Sequence, residues 1–463
     1  MGPGAANRAS HCIGKLSRGL RSERVSTPPS GHRSHLHRGA GARLLAILTT
    51  LGLLAGCGSA TATHSAASAT LSTSKASSAN VASTTTPAPT PTPTASCATT
   101  VASTLGTVAA RVYHEAATGG DVAQAVHRVQ SSSALIAAVN GGNSSAARSA
   151  LQALQLGQIV RVEVLRNGRV FAQAGSGAAI APVRGSIPGT SASYVLSTQS
   201  DRTYLQVVHQ VTGAQVLLLA GAHRLTGTIG GQLPASIPAN GPLTVAGQSY
   251  QAATLTGAVY PSGPLRIVLL VPSSTIACPG SAAQTRVETL GHVGERIYQE
   301  ELHSPDVAKT LRHVESSVPF QRAVAAGDES ATRAAIIEFF AQHIHVVRVR
   351  VTVGSHLLVD EGGPFVLAPV RGTVRSGGKT VGQFEMAIQD DAGYLKLAHL
   401  FTGAEVLMRR GNSQVMGTLS PGPTSVPDRG PVSYGGRSYE AYSFTGEAFP
   451  TGPLRISLLL LGS

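Results

Sequence analysis

The chain is written twice. "YPSGPLRIVLL" starts at Tyr260 and "FPTGPLRISLL" starts at Phe449, and the likeness extends well beyond these stretches. "TLGTVAARVYHE" faces "TLGHVGERIYQE", with Tyr113 opposite Tyr298. "DVAQAVHRVQSS" faces "DVAKTLRHVESS", "IAPVRGSI" faces "LAPVRGTV", and "VTGAQVLL" faces "FTGAEVLM". A period this long is no solenoid unit, so whatever folds here folds as a duplicated whole domain. The matched stretches set the copies at 97–278 and 283–460. The quoted sentence is the closing strand of each.

One copy can be read against the other. Leu105, Val108 and Val112, like Leu290, Val293 and Ile297, keep the three-to-four spacing of an amphipathic helix. Asp121 and Asp306 are expected to cap a second helix, and Ser144 and Asp328 stand near the start of a third. The period then falls to two: in "VVRVRVTV", Val347, Val349, Val351 and Val353 alternate with Arg348, Arg350 and Thr352, a half-buried strand. Asn167-Gly168 supplies a tight hairpin turn. Further strands are expected around "IAPVRG", "QFEMAIQ", "AEVLM", "YEAYSF" and "GPLRISLLL". Asp391 and Gly403 bracket "AGYLKLAHLFT" as a short inserted helix, with a strand as the competing reading. Helices first and a mostly antiparallel sheet after them is α+β order.

That order carries a resemblance. Each copy resembles an extracytoplasmic Cache domain, the PAS-like sensor module of bacterial receptors. The likeness rests on the strand pair around Arg348–Asp360, "FVLAPVRGTV", the "KTVGQFEMAIQDD" run into a short helix, and "FPTGPLRISLL". It covers nearly all of 98–460 and is one of pattern and order. The amino-acid-binding motif of some Cache domains is not recognisable, so no ligand residue carries over. Each copy has its own helical start, which implies two complete single modules, whereas the usual double-Cache receptor shares one long helix.

The first 56 residues read as an address. Eight Lys/Arg stand there against Glu23 alone, and the apolar run "LLAILTTLGLL" (44–54) leads into "AGC". The run is too short to span a bilayer as a mature helix and suits a signal peptide. Leu54-Ala55-Gly56-Cys57 resembles the bacterial lipobox, which implies a lipidated Cys57 and an anchor on the extracytoplasmic face of the cell membrane. Residues 57–96 are almost all Ser, Thr, Ala and Pro and cannot bury a core; they read as a disordered spacer. With Cys12 removed in the signal and Cys57 lipidated, Cys97 and Cys278 remain as an even pair in an oxidising setting, and a disulfide closing copy one is expected.

Composition bounds the chemistry. The formal charge of +13 suggests nucleic acid, but +7 of it belongs to residues 1–56, and with no Trp and 4% aromatics stacking platforms are scarce. No nucleic-acid partner is expected. GxSxG, HExxH, paired CxxC and Walker patterns are all missing, so no catalytic residues, no cofactor and no metal are expected. His343 and His345 alone form a minimal metal pair, read as polar surface. The ligand-site candidates are duplicated positions: Arg184 and Arg371 in "APVRG", and Tyr204, Tyr394, His209 and His399 on the inserted helix. Guanidinium is a natural clamp for carboxylate or phosphate, so an anionic small molecule is the favoured ligand. Arginines kept through duplication also fit a fold role, such as pairing with Asp201 or Asp391. Histidines in a last helical turn are explained by the helix dipole. Arg266 and Arg455, inside the closing strands, are expected to face solvent.

The copies differ in charge. Copy one has ten Arg against four acids, while copy two is nearly neutral, and a basic copy one could rest on anionic membrane or wall polymers. The expectation is a lipid-anchored sensory module that binds a small molecule, lacks its own output domain and works through a separate transmembrane partner. The alternative is a structural or adhesive envelope lipoprotein whose domains are spacers or protein-interaction modules.

Overall fold

The computed structural model describes residues 96–155, 159–278, 280–342, 346–450 and 452–462. The signal segment, Cys57, the spacer through residue 95 and the His343/His345 pair lie outside the described residues. Copy one opens on α1 (Cys97–Thr118), started by the Ser96 hydroxyl, which accepts the Thr99 N–H. The stripe of Leu105, Val108 and Val112 is buried, as its spacing predicts. Helices α2 (Gly120–Ser131), α3 (Ser133–Asn140) and α4 (Ser144–Gln155) follow. Six strands come next: β1 (Arg161–Arg166), β2 (Arg169–Gly175), β3 (Ala179–Ile180), β4 (Val183–Ser186), β5 (Ala192–Ser197) and β6 (Gln199–Ser200). After the inserted helix α5 (Asp201–Thr212) the copy ends with β7 (Gln215–Ala220), β8 (His223–Gly227), β9 (Asn240–Val245), β10 (Gln248–Tyr260) and β11 (Gly263–Pro272).

Copy two repeats the order with α6 (Ala282–His303), α7 (Pro305–Ser316), α8 (Val318–Ala326) and α9 (Glu329–Ala341). Its strands are β12 (Arg348–Val353), β13 (His356–Gly362), β14 (Val370–Ser376) and β15 (Lys379–Ala387), then helix α10 (Asp391–Thr402). The copy closes with β16 (Glu405–Arg410), β17 (Ser413–Gly417), β18 (Arg429–Tyr434), β19 (Arg437–Glu447) and β20 (Pro453–Leu461). The inserted segment is thus a helix in both copies, ended by Gly213 and Gly403 in the left-handed region.

The fold is α+β, and every pairing between the described strands is antiparallel. The strands of each copy are divided between two sheets. A minor sheet has the order β2-β1-β5-β4 in copy one and β13-β12-β15-β14 in copy two. A major sheet runs β6-β3-β10-β11-β7-β8 with β9 paired to β10, and β17-β16-β20-β19-β18. Asn167 and Gly168 both take positive φ (53° and 73°) between β1 and β2, the hairpin their sequence called for. Some helix starts differ from expectation. Asp121 and Asp306 lie in the first turn, where an acid favours the dipole, while Gly119 and Ser304 hold the cap positions. Asp328 does cap α9, and the Asn143 side chain, one residue before Ser144, accepts the Ala146 N–H at α4.

Each minor sheet is covered by its own three helices. In copy two the rings of Phe320, Phe339 and Phe384 meet edge to face at 5.5 and 5.9 Å. The major sheets behave differently. Their inner faces and helices α1, α5, α6 and α10 merge into one continuous apolar cluster shared by both copies. The repeated closing sentence explains how two sheets of one copy stay joined. Phe449, fully buried in the turn before β20, packs with Val347 and Ala387 of the minor-sheet region, 4.7 Å beneath the Arg348 guanidinium. Tyr260 does the same in copy one: its hydroxyl donates to Glu163, and Arg161 lies 5.0 Å over its ring. The arginine inside this stretch does not simply face water. Arg455 donates to the Val426 carbonyl (2.6 Å) and pairs with Asp428 (2.8 Å), holding the loop before β18. The Nε of Arg266 is buried without a partner among the described residues.

Cys97 and Cys278 are bonded, with Cα atoms 5.8 Å apart, tying the first residue of α1 to the chain just beyond β11. Among the described residues no helix is long and apolar enough to cross a membrane.

Candidate functional site

The duplicated candidates separate into two groups. Tyr204 and Tyr394 are fully buried. Their hydroxyls donate to the carbonyls of Ala109 (3.0 Å) and Gly294 (3.2 Å), so each fastens the inserted helix to the opening helix of its copy. Burial pushes both phenols well up. His209 Nδ1 lies 2.7 Å from the Ala214 carbonyl, and His399 Nδ1 lies 2.8 Å from that of Ala404. Both imidazoles close the exit from their helix. These four residues are occupied by the backbone around them.

Arg371 is placed otherwise. Residues 371 and 373 of β14 point away from the helices while Val374 packs beneath, following the two-residue period. Arg371 Nε donates to Glu385 of β15, directly across the ladder, and Nη2 donates to Glu447 at the end of β19, both at 2.8 Å. Those two carboxylates raise its pKa. Arg371 therefore bridges the two sheets of copy two, and its partners are not Asp391. In copy one the matching arginine, Arg184, is exposed and stands opposite Val195, with Ala258 where copy two has Glu447. The shared "APVRG" thus hides a difference: only copy two completes the ion-pair bridge.

A groove of about 710 Å3 opens beside that bridge, where the end of α6, helix α7, the start of β14 and the end of β19 converge. Leu302, Leu311 and Val370 make its walls apolar, the Arg371–Glu447 pair makes one charged end, and His303 adds a polar ring to the lining. Tyr298 forms part of the wall. Its hydroxyl accepts the Glu447 N–H at 2.8 Å, and burial pushes the phenol up. Gly446 leaves room for that ring: a side chain there would meet Tyr298 at 2.8 Å. Of Arg371's two partners, Glu385 is mostly covered (17% exposed) and Glu447 is half exposed (52%). A second, more polar cavity lies on the far side of Arg371, over the outer face of the minor sheet.

Asp391 is expected from the sequence to cap the inserted helix, but Asp390 holds the cap, accepting the Gly393 N–H, and Asp391 turns inward. It is 2% exposed, begins α10, and its carboxylate accepts the Val366 and Leu367 N–H groups at 2.9–3.2 Å. Burial pushes its pKa up to about 6 against those hydrogen bonds, with Asp390 adding to the rise and Arg348 opposing it. Glu385 and Glu447 escaped notice in the sequence. Their signal was a difference between copies, Val195 and Ala258 standing at the matching places. Among the described residues no group of three His, Cys, Asp or Glu could hold a metal ion.

No protein-family model matches the chain, and no curated protein matches it. Among solved structures it is similar to two crystal structures of the periplasmic domain of Vibrio cholerae LuxQ. These are 10% and 12% identical, match over 38% of this chain and 100% and 98% of their own, and have TM-scores of 0.26 and 0.25. A likeness of that size fixes neither ligand nor partner.

Proposed function

We propose that this chain is an extracytoplasmic, lipid-anchored binding module whose second copy takes a small molecule with an apolar body and one carboxylate. The observation that carries the reading is the bridge at one end of the apolar groove: Arg371 keeps the covered Glu385 while the half-exposed Glu447 is the partner a ligand carboxylate can replace. Such an exchange conserves the charge-assisted bond and adds apolar burial along α6 and α7. The role is binding rather than catalysis, and a separate membrane protein would carry any signal. The Cys97–Cys278 bond supports an oxidising compartment, and the apolar run ahead of Cys57 supports export and acylation there.

Two measurements test this. Thermal-shift assays of the full chain against octanoate, phenylpropionate and indole-acetate should show stabilisation by at least one, since ligands of the native state raise apparent stability. A blank across all three removes the binding reading and leaves the domains as spacers. For the anchor, Cys57→Ser should release the protein from the membrane fraction or leave it unprocessed; continued acyl labelling of that variant would refute lipidation at Cys57.

A further inference from the structure

The outer face of the second copy's minor sheet carries a row of charges whose pairing is uneven. Asp360, Arg350, Glu385 and Arg371 stand opposite one another across β13, β12, β15 and β14. Arg348, two residues before Arg350, takes Asp360 in a two-bond pair of 2.9 and 2.8 Å. Arg371 takes Glu385. Both carboxylates flanking Arg350 are therefore engaged by other arginines, and among the described residues Arg350 has no hydrogen-bond or ion-pair partner of its own. The Arg350 side chain is partly exposed, so its guanidinium is open to water or to a ligand.

A cavity of about 580 Å3 lies over this face, bounded by Arg350, Arg371 and Glu385, with Pro450 of the repeated turn at its margin. Glu447, the other partner of Arg371, faces the groove and does not line this cavity. Arg371 is shared between Glu385 and Glu447, so Arg350 is the guanidinium of this cavity left without a carboxylate of its own. Next along the strands Thr352, Gln383 and Thr373 stand opposite one another and line the same space, adding two hydroxyls and an amide. Copy one lacks the unpaired arginine. Glu163 replaces Arg350 and is already bonded by Arg161 (2.8 Å) and by the Tyr260 hydroxyl, and Val195 replaces Glu385.

From this geometry we infer an anion-binding site on the second copy alone, for a small hydrophilic molecule that carries a carboxylate or phosphate group together with hydroxyls. Arg350 is the principal donor, its planar fork matching either oxyanion. The threonine hydroxyls and the Gln383 amide meet the neutral part of the ligand. Arg371 lines both spaces, whereas Arg350, Thr352 and Gln383 line this cavity and not the groove, so the two can be tested apart.

Isothermal titration of the full chain with inorganic phosphate, citrate and D-gluconate tests the inference. At least one should bind with one site per chain. Arg350→Gln should weaken it about tenfold or more, the loss expected for a charge-assisted bond, without lowering the melting temperature of the unliganded protein. Arg350→Lys, which keeps the charge and loses the fork, should retain part of the affinity and serves if the glutamine variant does not fold. Failure of all three anions at millimolar concentration, unchanged binding by both variants, or two equal sites per chain would each overturn the inference. The groove is read separately: its monocarboxylate response should persist in Arg350→Gln.

Discussion

Arg111, on the opening helix of copy one, donates from Nη1 to the carbonyl of Phe401 in the last turn of copy two's inserted helix, at 3.2 Å. Helix ends leave carbonyls without intrahelical partners, and here the missing donor comes from the other copy. The packing is repeated on the other side, although among the described residues only Arg111 makes the hydrogen bond. Arg296, at the position of copy two that matches Arg111, lies against Gly213, which ends the inserted helix of copy one, just as Arg111 lies against Gly403. Both glycines are in the left-handed region (φ +69° and +65°), and neither leaves space for a side chain beside its guanidinium. Arg111→Met should therefore destabilise the protein by about 1–3 kcal/mol, the cost of orphaning a buried acceptor. Arg296→Met should cost less, since it removes packing against Gly213 and no hydrogen bond. Urea denaturation of the two variants measures this, and equal losses would show that packing against the glycines, and not the Arg111 hydrogen bond, carries the effect.

The Cys97–Cys278 bond closes most of copy one into a loop. Its removal should lower stability by about 2–4 kcal/mol through the freer unfolded chain. Denaturation of the Cys97→Ser/Cys278→Ser double variant against wild type gives the figure directly. Non-reducing peptide mapping should recover the two residues on one linked pair of peptides.

Arg371 can be judged by which quantity moves. It is half exposed, so loss of its two ion pairs in Arg371→Ala should change unliganded stability by less than about 1 kcal/mol. If the groove takes a carboxylate, affinity for that ligand should fall by about tenfold or more. A large fall in melting temperature with unchanged affinity would make Arg371 a tie between sheets and nothing else.

Asp391 makes stability depend on pH in an unusual direction. Its carboxyl sits at about 6 in the fold, above the ordinary 3.8, because burial disfavours the charge. Between those values the folded state holds the proton more tightly, so the group's contribution is full below about pH 4 and is lost as pH rises through 6. Asp391→Asn cannot titrate. The stability of wild type relative to this variant should fall by about 2–3 kcal/mol between pH 4 and 7, read from denaturation curves at each pH. A flat difference would mean that Asp391 is ionised with an ordinary pKa.

Duplication, α+β order, the alternating strand of Val347 to Val353 and the Asn167-Gly168 turn were legible because each is a local pattern whose period or dihedral demand is written in neighbouring residues. The Cys97–Cys278 pairing followed from there being few cysteines to pair. What the sequence could not express is the division of each copy into two sheets. That division depends on Phe449 and Tyr260 reaching across to residues about a hundred positions away, and an aromatic side chain carries no mark of what it will pack against. The same holds at the site. Arg184 and Arg371 are identical in sequence context, and the meaning of each is set by the residue that the ladder places opposite it, Val195 or Glu385. Arg350 reads as the polar face of a strand until Arg348 and Arg371 are seen to hold the carboxylates beside it. Pattern along the chain determined the elements; register between distant strands and burial at the join of the copies decided which charges are paired, and therefore which remain open to a ligand.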